Sequence, residues 1–185
     1  MSDEDYIVFV VDDDAAVREA LGELLASYGV TTMTFASAGA YMAAEKPRQP
    51  ACLILDVELP DINGLDLQRE IANHDHPPIV FITGHGDIPS SVRAIKHGAL
   101  DFLTKPFSDA DLMRAIRAAV AQDKQVHAER AELDVLKRRY DELTPRERDV
   151  LPLVISGLLN KQAAAELGIS EVTLQIHRRN VMQKM

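Results

Sequence analysis

The sequence predicts two folded parts: an α/β part on a doubly wound, five-stranded parallel sheet, and a small all-α helix-turn-helix part, joined by a long helix. Three observations lead there. Short apolar runs alternate with stretches of helical spacing, those runs are apolar on both faces, and no strand-like run follows residue 103. Alternation of this kind means βα units on a parallel sheet. Strands apolar on both faces need helices on both sides, which favours an open doubly wound sheet over a sandwich.

The elements follow in order. The strand "YIVFVV" (6–11) runs into Asp12, Asp13 and Asp14, and Asp14 reads as the N-cap of the helix "AAVREALGELLASYG", with Val17, Leu21, Leu24 and Leu25 on one face. Strands "VTTMTF" (30–35), "ACLIL" (51–55), "PIVFIT" (78–83) and "ALDFL" (99–103) alternate with helices "SAGAYMAAE", "GLDLQREIANH" and "IPSSVRAIKHGA". After "KPFSDADL" the pattern stays helical to about Tyr140, with Leu112, Ala119, Val126, Leu133 and Tyr140 spaced by seven. The last 42 residues read as three helices with starts signalled at Thr144, Asn160 and Ser170. Thr144 and Glu147 form a T-x-x-E capping box with Pro145 at the first helical position, and Gly168 marks a turn. The predicted limits are 1–122, a helical linker 123–143, and 144–185. Val126, Glu129, Leu133, Leu136, Tyr140 and Leu143 alternate at three- and four-residue spacing, which suits either a short coiled-coil seam or a helix packed on its own domains.

Composition narrows the function classes. At 185 residues and 46% hydrophobic content the chain can bury one core of ordinary size and a smaller one. A lone cysteine, Cys52, excludes disulfide scaffolding and reads as a small buried hydrophobe of a reducing compartment. The start "MSDEDY" is acidic and no apolar run approaches the roughly 18 residues of a membrane span, so a cytoplasmic protein is expected. The net charge of −9 is uneven: residues 1–123 carry 9 Lys+Arg against 20 Asp+Glu, whereas 124–185 carry 11 against 9. Different partners are expected for the two halves. His74 and His76 flank a loop and read as part of a solvated turn rather than as metal ligands.

The carboxylates have a positional logic. In a doubly wound sheet, ligands bind beyond the carboxyl ends of the strands, where strand order reverses. Asp12 and Asp13 end the first strand, Asp56 the third, Thr83 the fourth, and Lys105 follows the fifth. A lone Asp, Thr or Lys at a strand end means little, but one polar group on each successive strand end builds a site. Crowded carboxylates repel unless a cation sits among them, and Mg²⁺ suits an all-oxygen set that leaves room for a phosphoryl oxygen.

The stretches "VVDDD", "LILDVELPDINGL", "ITGHGD" and "GALDFLTKPF", in this order over roughly residues 5–122, resemble the flavodoxin-like receiver domain of two-component response regulators. The resemblance implies that Asp56 is a phosphoacceptor served by a histidine kinase, and that Asp12, Asp13, Asp56 and the Glu58 backbone carbonyl hold Mg²⁺. It implies too that Lys105 pairs with the phosphoryl group, that a cis bond precedes Pro106, and that Thr83 and Phe102 form a switch pair. Phe102 lacks the hydroxyl of a tyrosine, so switching would rest on packing alone.

"LTPRERDVL" and "NKQAAAELGIS" resemble the DNA-binding module of LuxR-type regulators of the FixJ and NarL kind. By that resemblance Gln175, Ile176 and Arg179 lie nearest the bases, and Lys161, His177 and Arg178 nearer the backbone of promoter DNA. Gln175 stands where relatives often carry Lys, exchanging a guanine or phosphate contact for an adenine one. Pro152 lies inside the module's first helix and should kink it or remove a hydrogen bond. The chain ends at Met185 without a helix C-cap, ahead of the fourth helix such modules use for dimerisation. The expected function is a phosphorylation-switched, homodimerising transcription regulator. Its rivals are a receiver that acts as a phosphate sink or interaction module, and an aspartyl phosphatase, whose second acid is only half supplied by Glu58 two residues after Asp56.

Overall fold

The computed structural model describes residues 6–84 and 88–185, so the acidic start and the "HGD" part (85–87) of the third motif lie outside the described residues. Among the described residues thirteen elements follow one another: β1 (Ile7–Val11), α1 (Ala15–Ser27), β2 (Thr31–Phe35), α2 (Ala38–Ala43), β3 (Ala51–Asp56), α3 (Gly64–Ile71), β4 (Ile79–Thr83), α4 (Ile88–Lys96), β5 (Asp101–Thr104), α5 (Asp109–Asp141), α6 (Pro145–Ile155), α7 (Asn160–Leu167) and α8 (Glu171–Lys184). The chain divides into two compact units, residues 1–127 and 128–185, with the division falling inside the 33-residue α5.

In the first unit all strand pairs are parallel and the order is β2-β1-β3-β4-β5. Every residue of β1, β3 and β4 is buried, as the unbroken apolar runs require, while the edge strands β2 and β5 are only partly covered. Alternation along the strands sorts the core into two layers. Val8, Val10, Cys52, Ile54, Val80, Ile82 and Leu103 pack with Leu21 and Leu25 of α1 and with Leu112, Ile116 and Ala119 of α5. On the other face, Phe9, Leu53, Leu55 and Phe81 pack with Tyr41 of α2, Leu67 and Ile71 of α3 and Ala94 of α4. Asp14 caps α1 by accepting the Ala16 N–H at 2.8 Å. At the far end of the sheet, buried Asp123 of α5 accepts the Ala51 N–H at 2.8 Å and secures the start of β3.

The second unit closes on Leu143, Val150, Ala163, Ala164, Leu174 and Val181. The capping box at α6 forms as expected: Thr144 N–H donates to Glu147 Oε2 at 2.9 Å and Glu147 N–H to Thr144 Oγ1 at 3.3 Å. α6 continues through Pro152 to Ile155. Gly168 takes φ +64, the left-handed turn that separates α7 from α8, and Ser170 caps α8. Asn160 is the first residue of α7 and not its cap. Leu159 holds that place, with its N–H donated to Gln162 Oε1 at 3.1 Å, while the Asn160 amide oxygen is engaged by Arg178.

Glu147 links α6 to α8 through Lys184 Nζ at 2.7 Å. That hydrogen bond, helped by the Thr144 N–H, lowers the Glu147 pKa from 4.5 to about 2. A carboxyl with a depressed folded pKa binds protons more readily when unfolded, so its contribution is complete above about 4.5 and disappears as the pH falls toward 2. The urea midpoint reported by the amide signals of Val150 and Val181 is expected to drop over that interval, and less steeply in Glu147→Gln. Equal slopes in the two proteins would assign the acid sensitivity to other carboxyls.

Candidate functional site

Parallel pairing puts all five carboxyl ends on one rim, and the reversal of strand order falls between β1 and β3. The alternation that turns Val10, Ile54 and Leu103 to one face continues to Asp12, Asp56 and Lys105, and these three meet. Lys105 Nζ donates to Asp12 Oδ2 at 2.8 Å and to Asp56 Oδ2 at 2.9 Å. Asp12 is fully buried and Asp56 is 5% exposed. Their remaining oxygens accept backbone N–H groups, Asp12 Oδ1 from Asp14 at 2.9 Å and Asp56 Oδ1 from Glu58 at 3.1 Å. Burial raises the Asp12 pKa despite the Lys105 hydrogen bond. Desolvation works against the Lys105 charge too, but the bonds to Asp12 and Asp56 outweigh it and its pKa lies above that of an ordinary lysine.

Asp13 is exposed and completes a trio in which one ligand atom from each of Asp12, Asp13 and Asp56 lies within 4.8 Å of the others. An open cavity of about 420 Å³ lies over them, lined also by Glu58, Pro60 and Gly84. Three carboxylates, a backbone rim and a lysine form a hard-oxygen donor set beside a cation, which suits a divalent ion together with a phosphoryl group. Thr83 ends β4 fully buried, and its carbonyl accepts the Lys105 N–H at 2.8 Å. The bond from Lys105 to Pro106 is cis. Phe102, half-buried on β5, is in register with Phe81, their ring centroids 6.1 Å apart, so Thr83, Phe81 and Phe102 share one sheet face.

Three contributors were not singled out by the sequence reading. Arg18 of α1 donates through Nη1 to the carbonyls of Asp12 at 2.7 Å and Asp13 at 2.9 Å, fixing the turn that presents the acids. Gly64, first residue of α3, packs so tightly that a Cβ there would fall 2.3 Å from the Asp56 carbonyl oxygen. Asp61 accepts from Gly39 N–H at 2.8 Å and Ala38 N–H at 3.3 Å, tying the loop after β3 to the start of α2. The Gly39 bond foremost holds its carboxyl below the usual range. The dipeptide "NG" in "LPDINGL" was the available signal for Gly64. His76, by contrast, is taken up locally, with Nδ1 at 2.8 Å from the Pro77 carbonyl.

In the second unit α7, the Gly168 turn and α8 form a helix-turn-helix. Lys161, Gln175, Ile176 and Arg179 are exposed, whereas His177 and Arg178 are half-buried. Arg178 Nη1 bonds Asn160 Oδ1 at 3.0 Å and the Leu158 carbonyl at 3.5 Å, so its guanidinium braces α8 against the start of α7. His177 Nδ1 is enclosed with no hydrogen-bond partner among the described residues. On α5, Leu133, Leu136 and Tyr140 are about half exposed, at 51%, 47% and 43%, while Leu143 belongs to the core of the second unit. No helix among the described residues is long and apolar enough to cross a membrane.

Comparison with known proteins gives two family matches: the response regulator receiver domain over residues 8–117, and the bacterial regulatory proteins of the luxR family over residues 141–185. The response regulator protein TmoT of Ectopseudomonas mendocina is 47% identical over the whole chain and 84% of its own length. Nodulation protein W of Bradyrhizobium diazoefficiens is 48% identical over 97% of the chain and 79% of its own length. The transcriptional regulatory protein FixJ of Azorhizobium caulinodans is 42% identical over 96% of the chain and 85% of its own length. Among solved structures, response regulator StyR superposes with a TM-score of 0.86 at 47% identity, covering 97% of this chain and 91% of that one. Full-length FixJ from B. japonicum superposes with a TM-score of 0.60 at 39% identity, covering 97% and 89%.

Proposed function

The chain belongs to the two-component response regulators that join a receiver domain to a LuxR-type DNA-binding domain, a class of transcription regulators, and on that premise we propose that Asp56 is the phosphoacceptor whose modification switches DNA occupancy. The observation that carries the reading is Asp56 itself: a nearly buried carboxylate at the end of β3, bound to Lys105 and gathered with Asp12 and Asp13 at the strand-order reversal. A carboxylate oxygen of Asp56 attacks the phosphorus of a phosphohistidine on a histidine kinase. The phosphorus–nitrogen bond breaks, and a mixed anhydride forms that later hydrolyses at the same site. The chain is thus a regulator that modifies only itself, not an enzyme acting on outside substrates.

Asp12, Asp13, Asp56 and the Glu58 backbone carbonyl are the residues that would hold Mg²⁺. When bound, that ion neutralises charge shared by the carboxylates and the incoming phosphoryl oxygens. Lys105 is released from bridging two acids to pair with a phosphoryl oxygen. The new group brings about two negative charges, and the Thr83 hydroxyl turns toward one of its oxygens. Phe102, on the same sheet face, fills the space Thr83 leaves. The response is homodimerisation, to which the exposed Leu133, Leu136 and Tyr140 of α5 add a candidate coiled-coil seam. Dimers then bind promoter DNA, with Gln175, Ile176 and Arg179 nearest the bases and Lys161 at the phosphates. The same proposal sets the receiver at 1–122, the linker at 123–143 and the DNA-binding domain at 144–185, in a cytoplasmic protein.

The test is uptake and assembly in one experiment. Treated with a small phosphodonor and Mg²⁺, the full chain is expected to gain one hydroxylamine-sensitive phosphoryl group and to sediment as a dimer, with neither change in chelator. Thr83→Ala is expected to take up the group at a similar rate yet dimerise several-fold more weakly. No uptake by the parent chain from any donor overturns the reading, and equal dimerisation of both proteins removes Thr83 from the route.

A further inference from the structure

α8 turns Leu174 and Val181 into the core of the second unit. At about 100° per residue, the direction opposite these two falls on Val172, Ile176, Arg179 and Gln183. Two of the four are apolar and β-branched, and both are open: Val172 is 67% exposed and Ile176 57%. Isolated exposed aliphatics are ordinary on protein surfaces. A pair one turn apart, centred on the face most distant from the core and set in the first half of this particular helix, is a different matter, because the N-terminal residues of such helices meet base edges.

Neither side chain can donate or accept a hydrogen bond. The apolar feature of the major groove is the 5-methyl group of thymine. Branching at Cβ leaves Val and Ile few rotamers, so little freedom is lost when they are seated against it. Gln175 lies beside the pair and has the donor and acceptor that match adenine N7 and N6, while Arg179, one turn further on, matches guanine. An adenine read by Gln175 carries its thymine partner's methyl in the same groove, within the sweep of the apolar pair. Arg179, three residues after Ile176 on the same face, supplies positive charge beside the patch, which fits a polyanionic partner.

We propose that Val172 and Ile176 form a thymine-methyl reader that, with Gln175, makes A·T pairs a fixed part of the operator half-site. This rests on the proposed placing of Gln175, Ile176 and Arg179 nearest the bases of promoter DNA. Both side chains lie outside the core, so their replacement leaves the packing of Leu174 and Val181 intact.

The full chain, treated with phosphodonor, is used to select a duplex from a random pool, and each thymine of the selected site is then replaced by deoxyuridine, which removes only the methyl. At one or two positions the parent chain is expected to lose about four-fold in affinity, the worth of one buried methyl. Val172→Ala or Ile176→Ala is expected to bind the thymine and deoxyuridine duplexes alike at those positions. The inference is overturned if no deoxyuridine lowers parent affinity, or if parent and both variants lose equally, which would assign the methyl contact to other side chains. Failure of the parent chain to select any duplex defeats the DNA reading itself, and is distinguished from the other outcomes by the absence of a bound site.

Discussion

Asp56→Asn is expected to reduce phosphoryl uptake to background while leaving the receiver folded. The substitution keeps the shape of the side chain and removes the anionic oxygen proposed to attack phosphorus. Among the described residues the two other acids of the trio are less suited. Asp12 has one oxygen on the Asp14 N–H and the other on Lys105 and is wholly buried, and Asp13 is exposed to solvent without a lysine contact of that kind. Removing one of three crowded carboxylates relieves repulsion, so the thermal midpoint is expected to match or exceed that of the parent chain. Intact-mass measurement after phosphodonor treatment decides the matter. A full phosphoryl adduct on Asp56→Asn would move the acceptor elsewhere on the rim.

Gly64→Ala is expected to damage the same chemistry from behind. A Cβ at this position would lie 2.3 Å from the Asp56 carbonyl oxygen and 3.1 Å from its carbonyl carbon and from Val57 Cα, all backbone atoms that cannot swing aside. Gly64 N–H also donates to the Val57 carbonyl at 2.8 Å, so α3 is pinned against the end of β3 at this contact. Overpacking of this kind costs about 1–3 kcal/mol, and the displacement falls on the proposed phosphoacceptor. A urea midpoint lowered by that amount, with phosphorylation slowed at least about ten-fold, is the expected outcome, since small misplacement of a reacting group is costly. Gly22→Ala is the contrast: nothing lies within 4 Å of its added Cβ, and in the middle of α1 it is expected to stabilise by about 0.5–1 kcal/mol. Phosphorylation at the parent rate in Gly64→Ala would show that β3 yields without disturbing Asp56.

What the sequence disclosed of this fold was carried by runs and periods. The five apolar runs mark the strands closely, 6–11 against Ile7–Val11 and 51–55 against Ala51–Asp56, because a strand buried on both faces must be apolar throughout. Strand ends then placed Asp12, Asp56, Thr83 and Lys105 on one rim, and the structure brings Lys105 to both acids. Contacts between distant elements left no such trace. Asp123 reaches the start of β3 from 72 residues away, Arg18 turns back onto two carbonyls, and Gly64 is required by the approach of one helix to one strand end. Periodicity states which face of a helix is apolar and not which polar side chain meets which partner. Arg178 shows the same limit: nothing in the helical period of α8 announces its bond to Asn160 of α7. α5 itself runs unbroken from Asp109 to Asp141 across the division between the units.

Phosphate on Asp56 is proposed to govern DNA occupancy. Binding isotherms of the full chain on a selected duplex, with and without phosphodonor, for the parent and for Asp56→Asn, decide it. Phosphodonor is expected to move the parent midpoint at least about ten-fold lower in protein concentration and to leave Asp56→Asn unmoved. Superimposable parent isotherms with Asp56 fully phosphorylated would contradict it.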